Sequence, residues 1–127
     1  MDIHADIART ERGSSFGYNH LIVDIKSFPS LAENNVPVIF DVTHSTQIPQ
    51  SGAQTGGARQ FAPLLARCAM ASGYVDGLFI EVHPEPNLAK SDAATQLTPE
   101  QATALLTQCY DIWKLKSGLA SIDSKFK

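Results

Sequence analysis

The chain has 127 residues, which suits one domain with a modest hydrophobic core. Its net charge of -3 excludes a strongly basic surface for nucleic acid, and no apolar run is long enough to span a bilayer. No basic segment followed by an apolar one opens the chain. We therefore expect a cytoplasmic protein with no nucleic-acid or membrane partner.

The segment before residue 36 shows little pattern. The first ten residues are polar, and residues 10–18 contain two glycines and two serines, which predicts a loop. Residues 20–31 fit either a helix or an irregular connection. Asn34 and Asn35 predict a turn.

Two nearly continuous apolar runs then predict buried parallel strands, at residues 36–43 and 77–82. Apolar residues at helical spacing predict a helix over residues 58–72, which ends at Gly73. The order of strand, helix and strand is that of a right-handed βαβ unit, so the sequence predicts an α/β fold with a parallel sheet.

A second helix has the clearest start signal in the chain. Thr98 fits the N-cap, Pro99 the first helical position, and Gln101 the partner of Thr98 in a capping box. The helix should fade near Gly118. Both helices carry an apolar stripe, formed by Phe61, Leu64, Leu65, Cys68 and Ala69 in the first and by Ala102, Leu105, Leu106, Cys109, Ile112 and Trp113 in the second.

The only two cysteines, Cys68 and Cys109, lie on these stripes. Free cysteine is a small apolar residue that is often buried, so we predict two core residues. We expect no disulfide in a reducing compartment.

Metal-capable side chains follow both predicted strands. His44 comes after the first strand, Glu81 after the apolar part of the second, and Asp92 lies in the next loop. Taken singly, His44 could bond to nearby backbone and Asp92 could face water. A carboxylate such as Glu81, however, would be desolvated unless paired or metal-bound. Because parallel strands end on one rim, the three together predict a divalent-metal site.

Other polar residues near these strands carry weaker signals. Asp41 could orient another polar group. Arg12 is either solvated or an anion clamp, because guanidinium pairs bidentately with phosphate and carboxylate. Gly56, Gly57 and Arg59 resemble a loop through which phosphate approaches a helix N-terminus, although a diglycine alone is a weak signal.

Four stretches, in order, resemble 3-deoxy-D-manno-octulosonate-8-phosphate synthase, over nearly all of residues 10–113. The stretches are Thr10-Glu11-Arg12-Gly13-Ser14-Ser15-Phe16-Gly17-Tyr18-Asn19, Phe40-Asp41-Val42-Thr43-His44-Ser45, Phe79-Ile80-Glu81-Val82-His83-Pro84-Glu85-Pro86 and Ala89-Lys90-Ser91-Asp92-Ala93-Ala94-Thr95-Gln96-Leu97.

The resemblance implies an eight-stranded TIM (β/α) barrel that condenses phosphoenolpyruvate with D-arabinose 5-phosphate. The product is the phosphorylated precursor of the Kdo sugar of lipopolysaccharide. The stretch around Asp92 resembles the metal-dependent branch. The resemblance makes His44, Glu81 and Asp92 ligands of a divalent ion such as manganese, iron or zinc, with His44 and Asp92 catalytic. It places Arg12 on phosphoenolpyruvate and Thr55 on the sugar phosphate. It also implies a homo-oligomer, usually a tetramer.

The resemblance covers only the C-terminal half of a family chain that is about twice as long. We therefore expect residues 1–127 to form one partial domain, the C-terminal portion of a TIM barrel. A cysteine ligand and the phosphoenolpyruvate-binding lysines lie in the other half of family members. Two hypotheses follow: a synthase represented by part of its chain, or a non-catalytic remnant that binds metal or sugar phosphate, or associates with a full-length synthase.

Overall fold

The computed structural model describes residues 7–49 and 56–126. These residues form short strands and helices, joined by turns of 3-10 helix. In chain order the elements are β1 (Arg9–Glu11), β2 (Ser14–Ser15), β3 (Leu21–Ile22), α1 (Ser27–Leu31), β4 (Val38–Asp41), β5 (Gln47–Ile48), β6 (Gly56–Gly57), α2 (Ala62–Ala71), β7 (Gly77–Phe79), α3 (Pro99–Trp113) and α4 (Lys116–Asp123).

A parallel sheet is the centre of the fold and confirms the predicted α/β class. Its three strands lie in the order β1, β4, β7, with Thr10 opposite Ile39 and Ile39 opposite Gly77. The strand β1 corrects the expectation of an unpatterned segment and loop before residue 36. Its sequence, Arg-Thr-Glu, has no apolar residue, so only its pairing with β4 identifies it as a strand.

The core lies between this sheet and helices α1, α2 and α3. Alternate residues of β4 point into it, and Val38 and Phe40 have no exposed surface. The ring of Phe28, from α1, meets that of Phe40 edge to face at a centroid distance of 6.1 Å. Burial of such side chains contributes roughly 1.5–3 kcal/mol each, so β4 is firmly held against the helices.

Helix α2 buries a stripe that only partly matches the predicted one, since Ala69 is buried and Leu65 packs half-buried against the core. Its buried residues are Ala62, Ala66, Ala69 and Met70, four residues that recur at helical spacing. In contrast, Phe61 and Leu64 are half exposed, and Cys68 is exposed. The prediction was wrong for Phe61, Leu64 and Cys68, because the face of α2 that is buried is formed mainly by alanine.

Helix α3 agrees better with its predicted stripe, since Ala102, Leu105 and Cys109 are buried. Leu106 and Trp113, from the same predicted stripe, are 48% and 42% exposed. Both cysteines are free thiols, as expected, but only Cys109 is a core residue. Burial raises the pKa of the Cys109 thiol above its ordinary value.

The predicted helix boundaries are largely confirmed. The Thr98 hydroxyl accepts the Gln101 N–H and the Gln101 side chain accepts the Thr98 N–H, which completes the capping box. Gly73 ends α2 with a φ of +80°, a left-handed conformation that glycine adopts readily. The predicted end of the second helix near Gly118 is wrong, however, because α3 ends at Trp113 and Gly118 lies inside the additional helix α4.

Candidate metal centre at the strand ends

Each strand of the parallel sheet is followed by one of the predicted site residues. Arg12 comes directly after β1, His44 follows β4, and Glu81 follows β7. Asp92 joins them from the loop before α3. One ligand atom each from His44, Glu81 and Asp92 lie within 4.8 Å of one another, so the structure brings the predicted triad together.

Asp41 fixes the orientation of the His44 imidazole. Its Oδ1 accepts the His44 backbone N–H at 2.9 Å, and its Oδ2 lies 2.8 Å from His44 Nδ1. A carboxylate at Nδ1 favours the tautomer that carries its proton there, which leaves Nε2 as a ligand atom. Nε2 lies 3.6 Å from Glu81 Oε1. The expectation that Asp41 orients a polar group is therefore confirmed.

Glu81 is held from two sides. Its backbone N–H donates to the Thr43 hydroxyl at 2.7 Å, which ties the end of β7 to the end of β4. The Gln96 side-chain amide donates to Glu81 Oε2 at 3.2 Å and to the Ser91 carbonyl at 3.0 Å. Because Oε2 is hydrogen-bonded to the amide, Oε1 is the oxygen that faces His44.

Asp92 occupies an unusual backbone conformation. Its φ of +52° is in the left-handed region, where aspartate and asparagine are tolerated far better than other non-glycine residues. Its side-chain Oδ1 accepts a hydrogen bond from the Gln47 amide. The turn is half-buried at Asp92 and buried at Thr95.

Arg12 extends beside the triad. Its Nε lies 4.0 Å from Asp41 Oδ2, and its side chain is 54% exposed, whereas that of Asp41 is 8% exposed. The guanidinium therefore carries positive charge to the edge of the site and has donors available for an anion. Thr55, predicted to bind the sugar phosphate, lies outside the described residues.

The donor chemistry of the triad fits a divalent cation. One imidazole nitrogen and two carboxylates are ligands that manganese, iron and zinc accept. Each ligand has a hydrogen-bonding partner at its other polar atom, which is the usual support of protein metal ligands. The residues present therefore fit such an ion, and the same set does not choose sharply among these metals.

Comparison with known proteins shows the family of the chain. The family model described as the DAHP synthetase I family matches residues 3–117. The chain belongs to this family. It is 46% identical over 111 residues to the 2-dehydro-3-deoxyphosphooctonate aldolase of Nitratidesulfovibrio vulgaris strain DP4, a match that covers 87% of this chain and 40% of the relative.

Other relatives carry the same name. The 2-dehydro-3-deoxyphosphooctonate aldolase of Desulfatibacillum aliphaticivorans is 48% identical over 112 residues, which cover 87% of this chain and 41% of that protein. The aldolase of Burkholderia multivorans is 50% identical over 97 residues, which cover 76% and 34%. The chain thus spans about two fifths of the length of the curated relatives it matches.

The contacts of three residues near the triad are seen only in the structure. The sequence assigns no role to Gln47, because a glutamine in a polar loop is ordinary, or to Gln96, although Gln96 lies in the last of the four stretches that resemble the family. Arg59 was grouped with a phosphate loop, but its guanidinium donates to the Ala93 and Ala94 carbonyls. In the part of the chain that the structure describes, no helix is long and apolar enough to cross a membrane.

Proposed function

We propose that this chain supplies the metal-binding rim of a 3-deoxy-D-manno-octulosonate-8-phosphate synthase. The observation that carries the proposal is the convergence of His44, Glu81 and Asp92 beside Arg12 at the carboxyl ends of parallel strands. The relatives' name supports it, because a 2-dehydro-3-deoxyphosphooctonate is the kind of phosphorylated sugar acid that the condensation forms.

In the proposed reaction, the methylene carbon of phosphoenolpyruvate forms a bond to the aldehyde carbon of D-arabinose 5-phosphate. Water adds to the carbon that bears the phosphate, and the tetrahedral intermediate releases phosphate by C–O cleavage. A divalent ion would polarise the aldehyde oxygen or activate the water. His44, Glu81 and Asp92 would hold that ion, which is the catalytic role of His44 and Asp92.

Arg12 would bind the phosphate or carboxylate of phosphoenolpyruvate. Its partly exposed guanidinium carries several N–H donors, and Asp41 lies close enough to bias its orientation. Asp41 therefore acts on both sides of the site, because the same carboxylate also holds the His44 ring. The proposed role of Thr55 at the sugar phosphate depends on residues outside the described ranges.

The sheet also fits a segment of a (β/α) barrel, within which residues 1–127 would be one partial domain. The strands are parallel, and the site residues follow their carboxyl ends, which is where barrel enzymes place their chemistry. Strands β1 and β7 are the outer strands of the sheet, so further barrel strands would pair with them. The homo-oligomer stays a prediction, which light scattering would test.

The proposal is tested by phosphate release from phosphoenolpyruvate and D-arabinose 5-phosphate, with manganese and again with EDTA. The assay uses the purified chain and a chimera in which the 111 residues of this chain that match the Nitratidesulfovibrio vulgaris aldolase replace their counterpart in that protein. We expect manganese-dependent release by the chimera, and loss of that release in its His44→Ala variant.

A folded chimera that binds manganese but releases no phosphate would contradict the synthase proposal and favour the non-catalytic remnant. The parent aldolase, assayed in parallel, shows that the conditions permit turnover. Release by the chimera that is unaffected by EDTA would contradict the metal role instead.

A further inference from the structure

The turn that carries Asp92 is built mostly by its own backbone. The Asp92 carbonyl accepts the N–H groups of Thr95 at 2.9 Å and Gln96 at 3.0 Å, together with the Thr95 hydroxyl at 3.1 Å. These bonds shape the backbone but leave the Asp92 side chain undirected. Its direction must come from another part of the chain.

Gln47 supplies a direct contact to that side chain. Its amide nitrogen donates to Asp92 Oδ1, which leaves the second carboxylate oxygen for an ion. The Gln47 backbone is itself anchored, because Gln47 and Gly57 are opposite each other in the antiparallel ribbon of β5 and β6. The position of the Gln47 amide is therefore fixed by the pairing of its strand.

Arg59 holds the same turn through its backbone. Its Nε donates to the Ala94 carbonyl at 3.2 Å, and a terminal nitrogen donates to the Ala93 carbonyl. Gly57 packs so closely on this turn that a Cβ added to it would lie 2.8 Å from the Ala94 carbonyl carbon. The ribbon and the turn therefore form one packed unit beside the triad.

We propose that Gln47 and Arg59 are positioning residues for Asp92, which Gln47 orients by its side chain and Arg59 by its backbone turn. This inference rests on the proposed metal site, because Asp92 is positioned for an ion there. Partners of this kind typically change metal affinity by about 10- to 100-fold. Neither residue belongs to the His44, Glu81 and Asp92 triad, so each would act through Asp92.

The chain contains a matched arginine–glutamine pair for comparison. Arg67 and Gln108 join α2 to α3 through a hydrogen bond of 3.3 Å between exposed side chains. Replacing Gln47 and Arg59 by methionine removes their donors and leaves an unbranched, flexible side chain at each position. The same replacement of Gln108 and Arg67 removes equivalent groups that have no contact with Asp92.

The experiment measures manganese affinity of the chain by electron paramagnetic resonance, and the visible absorption of bound cobalt. We expect affinity to fall about 10-fold in Gln47→Met and in Arg59→Met, and to change less than about twofold in the two controls. Arg59→Lys should recover part of the loss, because lysine still donates to one carbonyl. The cobalt spectrum should change with Gln47→Met, since the Asp92 carboxylate is then free to rotate.

Urea unfolding without metal gives the folded fraction of each variant, and affinities are compared per folded molecule. Unchanged affinity and cobalt spectrum in both variants would overturn this inference while leaving the metal site intact. Equal losses in the Arg67 and Gln108 controls would also overturn it, because the effect would then be general destabilisation. A wild-type chain that binds neither ion would overturn both proposals together.

Discussion

The metal rim and the open flank of this protein are built in opposite ways. In the rim, formed by His44, Glu81 and Asp92, each ligand side chain has a partner from another residue of the chain. The open flank, defined by Leu106, Tyr110 and Trp113 beside the outer strand β7, leaves these side chains 48%, 60% and 42% exposed. They line a groove of about 260 Å³.

This difference separates two requirements of a site: the orientation of its ligands and the stability of the fold that carries them. Directional hydrogen bonds fix the rim, and the chain contains all the partners they use. The packing of the flank depends on apolar area, and exposed apolar patches of this kind mark surfaces that another element or protein covers. The geometry of the three ligand side chains is therefore set within this chain, while part of the stability of the chain should come from whatever covers the flank.

The largest effect should separate two adjacent leucines of α3. Leu105 is 4% exposed and Leu106 is 48% exposed. Leu105→Ala should lower the free energy of unfolding by roughly 2–5 kcal/mol, because it opens a cavity, whereas Leu106→Ala should cost less than about 1 kcal/mol. Urea unfolding followed by circular dichroism measures both. Equal losses would show that the flank is already packed.

The next effect tests the rim alone. His44→Ala removes its nitrogen ligand and should weaken manganese binding more than about 100-fold, beyond the usual effect of an outer partner. His83→Ala is the matched control, since His83 is outside the triad and its Nδ1 accepts the Glu85 N–H. Calorimetric titration with manganese gives both affinities. Similar affinities in the two variants would remove His44 from the ligand set.

A smaller effect tests whether the stability of α3, the helix that carries the flank residues, is coupled to metal binding at the rim. Thr98→Ala removes the N-cap of α3 and should cost about 1 kcal/mol of stability. Thr103→Ala, which removes only a hydroxyl bonded to the Pro99 carbonyl, should change stability little. Manganese affinity should stay the same in both. A parallel loss of affinity in Thr98→Ala would mean that the two regions are not independent.

The smallest effect is a pH dependence beside the flank. Burial acts to raise the pKa of Asp76, but hydrogen bonds from Lys116 and from the Val38 N–H outweigh it and lower that pKa below its ordinary value. A lowered folded-state pKa stabilises the protein above the unfolded-state pKa, and the contribution disappears as pH falls through the folded-state pKa.

Wild-type stability should therefore decline more between about pH 5 and pH 2 than that of Asp76→Asn. Urea midpoints at several pH values measure the difference between the two proteins. Parallel curves would show that Asp76 contributes no pH-dependent stability, and the remaining acid sensitivity would belong to other carboxylates.

The sequence predicts the elements whose buried residues are also their apolar residues. The strand β4 is mostly apolar and mostly buried, with only Ile39 half-buried, so its position and the rim residue after it could be predicted. The strand β1 could not, because its polar residues serve other contacts. Arg9 donates to the carbonyls of Leu31 and Glu33, and Glu11 accepts the Gly13 N–H.

The same distinction applies to the site. His44 and Glu81 could be predicted from their places after buried strands, because a polar or charged group next to an apolar run is costly unless it is used. Asp92 lies in the next loop, so only its combination with the other two and the family resemblance pointed to it. Gln47 could not be predicted, since an amide side chain in a loop costs nothing if it faces water, and the stretch that contains Gln96 gave it no role. The residues that hydrogen-bond to the ligands are brought there by the fold, and no local sequence pattern identifies them.

The left-handed backbone at Asp92 restricts which mutations this position can accept. Glycine, asparagine and aspartate adopt that conformation at low cost, whereas most other residues are strained there. Only aspartate among the three brings a negative charge, and glutamate, although equally charged, meets the backbone penalty. A saturation library at position 92 selected for folding alone should retain all three residues, while selection for manganese retention should keep aspartate.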